Sequence, residues 1–202
     1  GGGPVTGEFT GPPVQGGTAV VSKVSDFDSF NQFTSTDYDT GQVLRHMLFM
    51  PLVQLDDDLE YEPYLAESTE LSEDGRTLTF RLREGVTWHD GTPVTADDVV
   101  WSVDLYMNPE LAFANARYFQ FVDRVEKVDD RTVTFHFNAT HSDPLADFLE
   151  WVPMPRHLLE GVGPTEMRNA PFNRQPIGNG PFRFASWTPN QQAVFEAYHD
   201  FV

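Results

Sequence analysis

Two runs of this chain, DGRTLTFRL at residues 74–82 and DDRTVTFHF at residues 129–137, alternate apolar and polar side chains behind an aspartate-containing turn. A period of two is the signature of a strand buried on one face. Leu78, Phe80 and Leu82 point one way while Thr79, Arg81 and Arg83 point the other, and Val133, Phe135 and Phe137 repeat the pattern. Each run predicts one arm of an antiparallel hairpin. Asp74-Gly75 turns back to a strand near Ala66–Leu71, and Asp129-Asp130 makes the second turn. Two copies read as recurring hairpin chemistry rather than a duplicated domain.

Between the two hairpins lies REGVTWHDGTPVTADDVVWS, residues 83–102. Asp90-Gly91-Thr92-Pro93 is a ready turn, and Thr95 followed by Asp98 is a variant of the capping box that opens a helix. Asp97 and Asp98 also sit favourably at the positive end of the helix dipole. Val99, Val103 and Tyr106 then recur at helical spacing, with Val100 and Met107 beside them, until Asn108-Pro109 ends the run. Asp143-Pro144 announces a further helix whose inward residues are Leu145, Phe148, Leu149 and Val152. Upstream, TAVVSKV (residues 18–24) fits a buried strand, and residues 40–53 fit a helix stopped by Pro51. The acidic stretch from Asp56 to Asp74 reads as a solvated meander, and residues 178–198 read as a glycine turn, a strand, a Thr-Pro turn and a strand. Hairpins mixed with helices place the chain in the α/β or α+β class.

With 202 residues the chain holds one large or two modest folding units, and 40% hydrophobic residues suffice for a core. Its formal charge of -18 repels phosphate backbones and anionic headgroups, so nucleic acid is not an expected partner. There is no cysteine, which removes disulfides, thiolate catalysis and thiolate metal sites. No apolar run approaches the roughly 18 residues that span a bilayer. Residues 1–17, rich in glycine and proline, have the composition of a flexible tether.

Candidate chemistry falls into two groups. His89 with Asp90, or the Asp97/Asp98 pair, could serve a hydrolase. No second ligand cluster accompanies His89, however, and adjacent carboxylates on a helix do not face each other. Turn and capping chemistry accounts for both more simply. Gly178-Asn179-Gly180 lacks the third glycine and following helix of a dinucleotide site. No cofactor or metal is called for. The aromatic loop is the second group: Phe27, Phe30, Phe33 and Tyr38 follow directly on the first apolar run, and Tyr118 and Phe119 pose the same choice. Such rings either line a cleft or plug the local core, with Phe30 the expected plug.

The run RLREGVTWHDGTPVTADDVVWSVD resembles a signature of the extracellular solute-binding proteins of the oligopeptide, dipeptide and nickel class, the receptors of ABC importers. GGTAVVSKVSDFDSFNQ, LVQLDDDLEYEPYLAESTELSEDGRTLTFRLR and PIGNGPFRFASWTPNQQAVFEAYHDF carry the same resemblance, which runs from about Gly16 to Phe201. It implies the amino-terminal lobe of a two-lobed periplasmic-binding-protein-like fold, α/β with a mixed sheet, hairpins and packed helices. Residues 18–45 and 165–202 would be parts of lobe one, residues 46–164 a subdomain packed beside it, and the second lobe would be absent. The implied function is non-catalytic: binding a short peptide or a similar small solute in a cleft and delivering it to a membrane permease. The expected ligand-binding residues are Phe27, Phe33, Tyr38, Tyr118, Phe119 and Met154. A monomer is expected, in the periplasm or outside the cell, touching the membrane only through its amino-terminal tether and a possible lipid anchor. The alternatives are the hydrolase and an interaction domain with no small ligand.

Overall fold

A computed structural model of the chain describes residues 16–140 and 143–201, so the tether expectation, except at Gly16 and Gly17, falls outside the described residues. The two look-alike runs lie side by side at its centre. They form β4 (Thr77–Leu82) and β6 (Thr132–Phe137) of a four-stranded antiparallel sheet whose outer strands are β3 (Ala66–Leu71) and β5 (Val122–Lys127), in the order β3-β4-β6-β5. Leu78 pairs with Phe135 and Phe80 with Val133, so both apolar faces coincide. Leu78, Phe80, Leu82, Val133, Phe135 and Phe137 are all buried. On the opposite face the hydroxyls of Thr79 and Thr134 meet at 2.9 Å. A register slip of one residue would turn every one of these side chains over, so the pattern fixes the pairing.

The long helix α2 (Ala96–Met107) lies against β5 and β6 and begins at Thr95 as the sequence predicts. The Asp98 carboxylate accepts the Thr95 backbone N–H at 2.9 Å. Its buried face includes Val99, Val103 and Tyr106, together with a polar stripe. Asp98, Ser102 and Tyr106, four residues apart, hold the backbone of the crossing segment 152–156: Arg156 N–H donates to Asp98 at 3.0 Å, Met154 N–H to Ser102 at 2.8 Å, and the Tyr106 hydroxyl donates to the Val152 carbonyl at 2.9 Å. The segment thus needs no sheet partner to satisfy these buried groups.

Two small hairpins complete the plan, β1 (Val53–Leu55) with β2 (Tyr61–Pro63) and β7 (Phe182–Thr188) with β8 (Gln192–Ala197). Every strand pair among the described residues is antiparallel, where a mixed sheet was expected. Other expectations are also corrected. Residues 18–24 form no strand: Val20, Val21 and Val24 are 88%, 90% and 104% exposed, because no described strand pairs with them. The helix expected over 40–53 is a short α1 (Tyr38–Val43) followed by a π-turn at Leu44–Leu48, and the chain is extended from Phe49 onward. The cause is tertiary, since the Leu48 carbonyl accepts Asn179 and Gly180 N–H at 3.0 and 2.9 Å while Met50 N–H donates to the Asn179 side chain. The turn after Asp143 is a 3-10 helix at Pro144–Leu149, with Phe148 buried. The meander of residues 56–74 carries β2, β3 and an aspartate turn in which Asp56 accepts Asp58 and Glu60 N–H.

Candidate functional site

The HDG junction is a crossing point. His89 N–H donates to the Gly178 carbonyl at 2.7 Å, its ring Nε2 meets the Gly180 carbonyl at 2.9 Å, and the ring lies 4.6 Å from that of Tyr198. Because the carbonyl can only accept, Nε2 carries the proton, and burial lowers the imidazole pKa, which keeps the ring neutral. Asp90 does not face His89. It accepts Thr92 N–H at 3.0 Å and pairs with His157 Nε2 at 2.8 Å, a partner the sequence did not suggest. Asp97 bridges Lys127 at 2.7 Å, and Asp98 is spent on Thr95 and Arg156. Burial raises the Asp98 pKa against the N–H donors of Thr95 and Arg156. Each polar group that a hydrolase reading would enlist is therefore engaged in holding the fold. A side chain at Gly178 would overlap the Leu48 carbonyl, so this glycine serves close backbone approach. Among the described residues no three His, Asp or Glu side chains converge in a way that could hold a metal ion.

The aromatic loop is held by three carboxylates that accept its backbone. Asp28 accepts Thr36 N–H at 2.6 Å, Asp37 N–H at 3.1 Å and the Ser35 hydroxyl at 2.8 Å. Asp37 caps α1 through Thr40 N–H at 2.8 Å and pairs with Lys23 at 2.6 Å. Burial pushes the Asp37 carboxyl up, but Lys23 and Thr40 outweigh it and hold it at about 2. Asp26 reaches across to the last hairpin, accepting Asn190 N–H at 2.7 Å and the Trp187 indole N–H at 3.1 Å, and its pKa is lowered chiefly by the Asn190 bond. Buried Asn31 and Phe30 N–H tie the same loop to Asn173 at 2.8 and 2.9 Å.

These anchors sort the six expected ligand residues. Tyr38 is 75% exposed, Phe27 is half-buried against Phe30 and Phe195, and Tyr118 is half-buried under the Arg117 guanidinium. Phe33, Phe119 and Met154 do not stand open in a cleft. Phe33 packs on Tyr106 with ring centroids 4.6 Å apart, Phe119 stacks on Tyr106 at 5.2 Å, and Met154 is fully buried where the crossing segment meets α2. Phe30 is the plug that the sequence suggested, enclosed by Phe27, Phe184, Trp187 and Phe195. On the outer side of that ring cluster lies an open concavity of about 570 Å³, lined by Arg174, Gln175, Phe184, Ala185, Ser186, Trp187 and Pro189. Sequence reasoning did not select this group, because its members come from two separate stretches with no motif between them.

Known proteins share this fold. The family described as bacterial extracellular solute-binding proteins, family 5 Middle, matches residues 60–202. The oligopeptide-binding protein AppA of Bacillus subtilis is 31% identical over 193 residues, covering 95% of this chain and 35% of that protein. The glutathione-binding protein GsiB of Pectobacterium atrosepticum is 27% identical over 89% of this chain and 34% of its own length. Among solved structures, AppA of B. subtilis in complex with a nonapeptide superposes with a TM-score of 0.80 at 28% identity, over 90% of this chain and 36% of that one. NikZ of Campylobacter jejuni in complex with Ni(L-His) superposes with a TM-score of 0.77 at 29% identity, over 86% of this chain and 34% of that one. This chain spans about a third of the length of these relatives, and with most of its length matched in sequence and in fold it belongs to the bacterial extracellular solute-binding proteins of family 5.

Proposed function

We propose that this chain supplies one wall of the solute-binding cleft of an ABC importer's receptor, taking a short peptide or a similar small solute for delivery to a membrane permease. The observation that carries the reading is its likeness to B. subtilis AppA, which was solved with a nonapeptide bound. The rings left at the surface, Phe27, Tyr38 and Tyr118, are the proposed contacts, with Phe33, Phe119 and Met154 supporting them from behind. The carboxylate anchors support this by fixing the loop before any ligand arrives, which lowers the entropy lost on binding. Residues 18–45 and 165–202 are proposed to share lobe one, which the Asn31–Asn173 and Asp26–Trp187 bonds favour, with residues 46–164 beside it. The role is binding without catalysis, by a monomer outside the cytoplasm.

One wall encloses little of a ligand, so the affinity of this chain alone is expected to be weak, with a dissociation constant of about 1 mM. A thermal-shift screen against short-peptide pools at several times that concentration tests this. The midpoint should rise by about a few degrees through mass action. A rise already complete at micromolar peptide would contradict the single wall, and no rise with any pool would contradict the peptide reading.

A further inference from the structure

Residues 178–180 run as a strap between two turns and lead into β7. On one side Asn179 and Gly180 N–H donate to the Leu48 carbonyl at 3.0 and 2.9 Å, and the Asn179 side chain accepts Met50 N–H at 3.0 Å. A Cβ at Gly178 would lie 1.9 Å from the Leu48 carbonyl oxygen and one at Gly180 2.5 Å from that of Met47, so no gap is left there. On the other side stands His89, whose backbone N–H donates to the Gly178 carbonyl at 2.7 Å and whose ring Nε2 donates to the Gly180 carbonyl at 2.9 Å. That ring bond leaves Nδ1 as a bare acceptor. Nδ1 is enclosed by the described residues themselves and has no hydrogen-bond partner among them. Asn179 Nδ2, enclosed in the same strap and equally without a partner there, is a donor and offers nothing to a protonated ring.

We propose that this crossing is an acid-released latch, in which a proton on His89 Nδ1 breaks the ring's hold on Gly180 and frees the strap, and with it the β7–β8 hairpin, from the turn at His89. A protonated ring carries a charge and a second N–H into a place that holds no acceptor for them, and it relieves both by swinging out to water. The charged groups facing the ring are divided. Arg183 on β7 opposes protonation, while Asp90 on the ring's own turn favours it but already accepts Thr92 N–H and pairs with His157 Nε2. Tyr198, after β8, adds a neutral ring at 4.6 Å. Burial outweighs the Gly180 bond and lowers the imidazole pKa from its ordinary 6.5. A group depressed in this way contributes stability that is fully present above 6.5 and is lost as pH falls from there towards the folded value. This window opens well above that of Asp26 and Asp37, whose ordinary value is 3.8, so the strap yields before the carboxylate anchors do. The freed hairpin carries Phe184, Trp187 and Phe195, which enclose Phe30, so mild acid loosens that ring cluster whatever solute the cleft takes.

Nuclear magnetic resonance on the whole chain tests the latch in two ways. The His89 ring should titrate below 6.5, and a midpoint at or above that value would overturn the proposal. Hydrogen exchange, expressed as protection relative to an open chain at the same pH, then reads the strap. Protection of Asn179 and Gly180 N–H should fall about threefold or more between about pH 7 and pH 5, levelling off near the ring's own midpoint, while β4 and β6 hold theirs. His89→Gln keeps an amide donor for the Gly180 carbonyl but cannot take up a proton, so it should abolish the fall. His157→Gln should leave the fall in place. Unchanged protection in the unaltered chain, a fall that survives His89→Gln, or one that disappears with His157→Gln would each overturn the assignment to His89. If His89→Gln does not fold, the unaltered chain decides alone, since a fall that does not level off at the ring's midpoint would also overturn it.

Discussion

The unit formed by the four-stranded sheet with α2 differs from the unit formed by the first loop with the β7–β8 hairpin in how each finishes its apolar surface. In the first, Phe80, Phe135, Phe148 and Trp151 interlock and are almost wholly buried. In the second Phe30 is enclosed within the unit and Phe33 only by rings arriving from α2, while Phe27, Phe184, Trp187 and Phe195 are half-covered and Val20, Val21 and Val24 are open. Similar ring chemistry thus serves two ends. Closed packing gives stability, and rings held in place by polar anchors with one side open give a surface on which something can bind.

Truncation separates the two units most sharply. Phe135→Ala should cost about 3–5 kcal/mol, since it leaves a cavity among the three rings of Phe80, Phe148 and Trp151, whereas Phe27→Ala should cost less than half as much. Urea unfolding measures both, and equal losses would erase the distinction. A smaller effect is expected at the seam. Asp98→Ala strips the acceptor from two N–H groups and should cost about 1–3 kcal/mol.

That seam also shows how far the sequence could be read. The hairpins of β4 and β6 and the start of α2 were legible because alternation, aspartate turns and the Thr95–Asp98 pair are local signals. Tyr106 was legible as an inward residue, but its bond to Val152 was not, because nothing local says which backbone will cross the helix. The same limit explains the loop. Phe27 and Phe33 have the same composition around them, and only the arrival of Trp101 and Tyr106 from α2 buries the second. Residues 18–24 show the reverse case, a sound strand pattern with no described partner to pair with.

The polar anchors give a subtler distinction. Asp37 titrates at about 2 in the folded chain against an ordinary 3.8, and Asp26 is also lowered. A depressed carboxyl contributes stability that is fully present above the unfolded value and is lost as pH falls through the folded one. Below pH 3.8 and towards 2, amide signals of residues 26–38 should therefore weaken before those of β4 and β6, and Asp37→Asn should remove part of that dependence. Simultaneous loss in both units would show that the anchors are not separate from the core.

The central claim is that solute is met by the rings left at the surface and not by the closed core, and hydrogen exchange with and without a saturating short peptide tests it most directly. The account predicts added protection in residues 25–38, around Tyr118 and along β7–β8, with β4 and β6 unchanged. Protection centred on β4, β6 and α2, with the loop and the hairpin unaffected, would contradict it.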